Sequence, residues 1–249
     1  MSDLAGAALA GSLAAGLSLL VPSIIARIPE PEPEQDELRG EAEGEEPEKP
    51  DEPDEPKEPY AAIAALPGLA WKAGLAGLLV GAAVGACVGL TWPLLYLVPL
   101  VPIGIALALV DWRTRLLPTR VIAPTYALVV VAVLVIAAVT GETGDLKRAG
   151  LGWLVAGGLY LLLWVVYPRG MGYGDVRLSG ILGITLGHLG WAELLVGVYG
   201  GFLLGGVLGG VLSLLRRVDR KGYPFGPFML LGALVGVVLG QPLIDALYS

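Results

Sequence analysis

Two aspartates sit where chemistry could be done. Asp175 lies in Gly170-Met171-Gly172-Tyr173-Gly174-Asp175-Val176-Arg177-Leu178, a glycine-rich turn between two long apolar runs. Asp111 closes an earlier apolar run and opens Asp-Trp-Arg-Thr-Arg-Leu-Leu-Pro. A carboxylate at membrane depth is costly and signals a functional site by default. Two of them close together cannot both ionise comfortably, so a pair would share one proton. The ionised member could then activate water while its protonated partner polarises a carbonyl, which is aspartyl hydrolysis of a peptide bond.

The glycines around Asp175 remove side chains and permit positive φ, so an extended substrate backbone could approach the acid. Other readings stand beside this one. Asp175 could simply cap the next helix, or the acids could handle protons or ions. Metal binding has too few ligands, because no histidine, cysteine or further acid accompanies the pair. No metal and no cofactor are expected.

Placing the acids requires membrane helices. The chain has 249 residues, 55% of them hydrophobic, and 37 glycines; apolar runs of about 20 residues recur along most of it, each the length of a bilayer crossing. The net charge of −7 hides an asymmetry: residues 28–59 hold 15 of the 23 acids and only Arg39, Lys49 and Lys57 as bases. The remainder is mildly basic. The expected fold is all-α, a polytopic membrane helix bundle of about eight spans. Its parts are a first span within 1–27, a disordered acidic Pro/Glu linker over 28–59, and a membrane-embedded core over 60–249.

The expected spans are 4–26, 70–90, 92–110, 121–140, 149–167, 176–191, 193–215 and 226–247. The first is read as retained, because Met-Ser-Asp-Leu is acidic where a secretory signal would be basic. The span at 176–191 is the shortest. Glycines at spacing four (Gly77, Gly81, Gly85 and Gly89; Gly197, Gly201, Gly205 and Gly209; Gly232, Gly236 and Gly240) predict faces for close helix packing. Gly141–Arg148 is read as a polar loop. Cys87 is read as a small packing residue, and His188 as a residue near the outer face, away from both acids.

Orientation follows from the basic residues. With the linker in the cytosol, eight spans put Asp111, Asp175 and Arg216–Lys221 inside. Of the 16 Lys and Arg, only Lys147 and Arg148 then fall outside. Both termini face out, and both acids face the cytosol.

Three motifs together carry a resemblance: Asp111-x-Arg113-x-x-x-Leu117-Pro118, Gly170-Met171-Gly172-x-Gly174-Asp175-x-x-Leu178, and Pro224-Phe225-Gly226-Pro227-Phe228. From about residue 70 to the C-terminus the chain resembles the type IV prepilin peptidases, aspartyl proteases of the bacterial plasma membrane. The resemblance implies that Asp111 and Asp175 are the catalytic pair. It further implies cytosolic-side cleavage of a short basic leader, after a glycine, from a pilin-like precursor. Gly172, Gly174, Arg113, Arg177, Phe225 and Gly226 become candidate substrate-binding residues. The expected partners are prepilin-like precursors and membrane lipid, with no nucleic acid.

Departures from the family pattern matter. Thr119 follows Pro118 where the family often has Asn, and Arg177 stands where Lys is usual. The acidic linker lies where many members carry a cysteine-tetrad zinc region linked to N-methylation of the product. A peptidase without the methyltransferase module is therefore expected. A presenilin-like protease shares Gly-x-Gly-Asp but places its partner acid in a Tyr-Asp pair, whereas Asp111 follows Val110. The alternative from another class is a proton- or ion-coupled transporter using the same two acids, although the acids lie at one edge of the spans rather than at the midplane.

Overall fold

The structure, a computed structural model, describes residues 2–30, 58–168, 171–214 and 224–248. Most of the expected linker, Gly170 and Arg216–Lys221 lie outside the described residues, which contain helices and no strand. In chain order the helices are α1 (Ser2–Ser18), α2 (Val21–Ala26), α3 (Tyr60–Ala64), α4 (Leu69–Val88) and α5 (Leu94–Thr114). They continue with α6 (Thr119–Thr140), α7 (Thr143–Val166), α8 (Tyr173–Leu189), α9 (Trp191–Leu214) and α10 (Gly226–Tyr248). The chain is an all-α multi-pass bundle. Five helices are long and apolar enough to cross a membrane: α4, α5, α6, α7 and the stretch Gly226–Ala246 of α10. Leu4–Ser18 and Trp191–Val207 are apolar but shorter.

Three close helix pairs build the bundle: α1 with α4, α7 with α8, and α9 with α10. Each is a small-residue seam. On α4, Gly77, Gly81 and Gly85 are buried against α1, and a Cβ added at Gly81 would stand 2.6 Å from the Ala10 carbonyl oxygen. Without side chains between them the helix backbones come close enough for dispersion contacts to accumulate, the packing available where lipid removes the hydrophobic drive. Gly197 and Gly201 meet Gly232 and its neighbours in the same way between α9 and α10. The α7–α8 seam, Gly152 against Gly183 and Gly187, carries no spacing-four run on α7, so no local pattern announces it.

The remaining helices fill in around α5, which touches α1, α2, α3, α4, α6 and α10. Leucines and valines such as Leu79, Leu154, Leu162 and Val166 stay exposed on the outside, where lipid would cover them. Trp92 and Trp112 bracket α5 with their rings exposed. Twenty residues, all but the first two helical, separate Trp92 from Trp112 in the last turn of α5, roughly 30 Å, which is the thickness of a hydrocarbon core with a tryptophan at each interface.

Helix α8 is the exception. It has 17 residues, and its glycines, Ser179, Thr185 and His188 are of low apolarity. Gly174, Asp175, Leu178–Ile181 and Gly183–His188 are all buried. A helix enclosed by protein rather than lipid needs small side chains, not greasy ones, and that explains why this span reads as short and weak.

Several expectations need correction. The run 4–26 is not one helix: it breaks at Leu19–Leu20, and α2 restarts with Pro22 in its first turn. Proline lacks an N–H and suits a helix start rather than its interior. Gly141–Arg148 is not a loop throughout, because α7 begins at Thr143 with Asp145 in its first turn. Gly89 is no packing glycine: it takes φ +69° just past α4, with open space where a Cβ would be. Cys87 is exposed, its Sγ 3.9 Å from the Val238 carbonyl oxygen.

Candidate active site

Asp111 belongs to the last turn of α5, three residues before that helix ends at Thr114. The helix stops because Arg115 adopts a left-handed conformation (φ 57°, ψ 28°) and its N–H returns to the Asp111 carbonyl oxygen at 2.8 Å. A non-glycine residue there carries about 1 kcal/mol of strain or more. The turn lets Leu116 and Leu117 bury themselves and Pro118 start α6. Thr114 supports it, its hydroxyl donating to the Val110 carbonyl at 2.8 Å and accepting from the Leu116 N–H at 3.3 Å.

The Asp111 carboxylate is buried, with only 4% of the residue exposed. Its Oδ2 accepts a hydrogen bond from the Gly226 N–H at 3.0 Å. Gly226 is the first residue of α10, so the carboxylate meets the positive end of a helix dipole and one of its unsatisfied N–H groups. The absence of a side chain at Gly226 is required: a Cβ would lie 2.7 Å from Asp111 Oδ2, 3.3 Å from its Cγ and 3.4 Å from Leu117 Cδ1. The Pro-Phe-Gly-Pro-Phe motif thus forms a wall against the acid, and Phe228 packs edge-on to Trp112 with ring centroids 6.3 Å apart.

Asp175 is inside α8 rather than in the turn before it. Gly172 is the N-cap, and Asp175 is the third helical residue, buried at 7% exposure, its N–H donating to the Gly172 carbonyl oxygen at 3.0 Å. The N-cap residue, Gly172, makes no side-chain cap bond. The positive-φ reason for the glycines fails at the described positions: Gly172 has φ −69° and ψ 144°, open to any residue, and Gly174 is helical and buried.

An aromatic cluster lies between these helix ends. Phe225, adjacent to Gly226, packs on Phe202 of α9 (5.7 Å between centroids) and Tyr160 of α7 (6.1 Å). Tyr160 stacks on Phe202 at 4.8 Å and lies within electrostatic reach of Asp175. Tyr160 and Phe202 were missed by sequence reasoning, because an aromatic residue inside an apolar run looks like any other lipid-facing or packing residue.

The candidate cations are both engaged in the fold. Arg177 hydrogen-bonds the Thr119 hydroxyl through Nη1, lies 5.2 Å from the Tyr173 ring centroid, and accepts through its carbonyl oxygen a 3.0 Å bond from the Tyr126 hydroxyl. The two positions that depart from the family pattern, Thr119 and Arg177, are thus partners, tying the start of α6 to the start of α8. Arg113 pairs with Glu58 at 2.8 Å. Glu30 Oε1 accepts from the Ala61 N–H at 3.2 Å, so the two described ends of the acidic segment meet, two residues along the chain from Asp111. Among the described residues no group of three His, Cys, Asp or Glu side chains is arranged to hold a metal ion.

A multi-pass helical bundle with buried carboxylates at helix ends defines a membrane protein with an acid-bearing site. The family model described as the type IV leader peptidase family matches residues 98–214, from the second turn of α5 to the end of α9. This stretch, a little under half of the chain, contains Asp111 and Asp175 but not Gly226, and the match supports an aspartic-type endopeptidase of the leader-peptidase kind. No curated protein and no solved structure matches the chain.

Proposed function

We propose that the chain removes a short basic leader from type IV prepilin-like precursors, with Asp111 and Asp175 as the catalytic dyad. The observation that carries this is the buried Asp111 carboxylate held by the Gly226 N–H. A lipid-facing or structural acid would not need a glycine-walled slot at a helix N-terminus. The family match over the enclosing segment supplies the reaction class. The α7 cluster around Tyr160 gives the second acid a route to the same site.

In this reading water is held between the carboxyl groups. The ionised aspartate takes a proton from it as the oxygen attacks the scissile carbonyl carbon, while the protonated aspartate donates to the developing oxyanion. The tetrahedral intermediate collapses as a proton passes to the leaving amine, and the dyad returns to its shared-proton state. Gly172, half-buried at the start of α8, leaves room for the extended leader, and Phe225 and Gly226 wall the slot. Arg113 and Arg177 act by holding neighbouring segments in place.

Eight crossings with both termini outside put the dyad at the cytosolic face of a bacterial inner membrane, under the positive-inside rule. The acidic segment, anchored at Glu30 and Glu58 beside α5, would concentrate basic leaders near the site through a field that salt weakens. The domain division is then a first membrane segment over 1–27, a solvated linker over 28–59, and the catalytic core over 60–249. The experiment is incubation of the purified protein with a leader-bearing precursor, with the new N-terminus mapped by mass spectrometry. A single cut after the glycine preceding the apolar helix is expected. An uncut precursor, or cuts scattered through its soluble part, would contradict the reading.

A further inference from the structure

A cavity lies at the end of the bundle opposite the acids. It has a volume of about 480 Å³ and is lined by Trp92, Thr140, Glu142, Asp145 and His188, with apolar walls that include Ile136 and Leu189. Asp175 and His188 are thirteen residues apart on α8, about 20 Å along the axis, so this cavity is separate from the acids. Its size falls within the range of about 300–1,000 Å³ typical of small-molecule sites.

The polar lining is rich in acceptors. Thr91 and Thr140 each already donate their hydroxyl proton to a helix carbonyl, Val88 at 3.1 Å and Ile136 at 2.8 Å, so their oxygens can only accept from a ligand. The C-terminal ends of α4, α6 and α8 converge here beside the N-terminal ends of α5 and α7, so the helix dipoles offset and the carboxylates of Glu142 and Asp145 set the charge of the lining. Arg148 satisfies the α8 end, donating to the Gly187, His188 and Leu189 carbonyl oxygens at 2.8, 2.9 and 3.2 Å and to Asp145 at 2.9 Å. Glu142 keeps no ion-pair partner among the described residues. His188 is buried with Nδ1 3.0 Å from the Tyr96 hydroxyl, which leaves Nε2, without a partner among the described residues, as the ring nitrogen available to the cavity. The charges of Glu142 and Asp145 oppose an anion here. A bare metal ion lacks a ligand set among the described residues.

From this lining we infer a binding site for a primary ammonium group carried on an amphipathic molecule. The ammonium donates to Glu142, Asp145 and the threonine oxygens, and the Trp92 ring and the apolar wall cover its carbon chain. Trp92 stands at the interfacial level of the bundle, where such a group is presented by an aminophospholipid headgroup; a free amine offers the same chemistry.

Native mass spectrometry of the full-length, delipidated protein tests this with three probes: phosphatidylethanolamine, phosphatidylglycerol of the same acyl chains, and free ethanolamine. Phosphatidylethanolamine is expected to be retained over phosphatidylglycerol. Glu142→Gln should weaken its retention about five- to tenfold, and Thr91→Trp, which fills the cavity from an exposed position, should abolish it; both variants should keep the wild-type melting temperature. Ethanolamine bound with the same Glu142 dependence, without lipid retention, would support the ammonium site and assign a free amine as its source. Equal retention of the two lipids together with no Glu142-dependent ethanolamine binding would overturn the inference. So would lipid retention unchanged in both variants.

Discussion

Gly226→Ala is the most informative single change, because one added carbon meets the acid the mechanism relies on. The new Cβ would stand 2.7 Å from Asp111 Oδ2, whereas carbon contacts settle at about 3.5–4.0 Å. Either the carboxylate or the first turn of α10 must give by roughly 0.8 Å, more than the ~0.5 Å tolerance within which a catalytic group has to be held. The 3.0 Å bond from the Gly226 N–H is stretched or lost at the same time. Displacements of about 1 Å cost on the order of 100-fold in rate, so kcat should fall about 10- to 100-fold. Overpacking of this kind should cost about 1–3 kcal/mol of stability, and the bundle should remain folded. The assay is precursor cleavage by purified protein alongside a thermal melt. Gly158→Ala is the control, since a Cβ there meets nothing within 4 Å; it should leave cleavage unchanged. Wild-type kcat in Gly226→Ala would refute the claim that this contact positions the acid.

Other consequences are simpler to test. Removing residues 31–57 should slow cleavage of a basic leader at low salt and matter little at high salt; an equal effect at both would exclude electrostatic gathering. Arg113→Ala should change the melting temperature only slightly, because a partly exposed ion pair contributes about 1 kcal/mol or less. Gly81→Leu should lower the melting temperature markedly, since the seam with α1 has no room for a side chain; an unchanged melt would mean α1 does not pack there. After Cys87→Ala, a cysteine at Lys147 should react with a membrane-impermeant thiol reagent added outside intact cells, and one at Arg120 should not.

Much of the bundle is legible in the sequence because lipid imposes long apolar runs, and charged residues mark their ends. Both acids stand out for the same reason: few other charges, among them Lys72, Glu193 and Asp245, fall within those runs. The shortness of α8 is read correctly, with its start three residues too late, at 176 rather than Tyr173; its weak hydropathy reflects partners that are helices rather than lipid, because its small residues serve that burial. The Asp111–Gly226 bond joins residues 115 positions apart, so no local pattern announces it, although the Pro-Phe-Gly-Pro-Phe motif flags the place. The break between α1 and α2 hides behind unbroken apolarity, and Pro22 is the one cue. His188 is read as an outer-face residue from its position in the last turn of its span. That it lines a cavity follows only from the convergence of α4, α6 and α8, which periodicity does not encode.

The central claim is most directly tested by comparing cleavage of a leader-bearing precursor by the wild-type protein, Asp111→Asn and Asp175→Asn. Asparagine keeps the size of each side chain and removes its ability to ionise or carry the shared proton. Both variants should fold as the wild type does and lose detectable cleavage. Cleavage surviving in either would contradict the dyad.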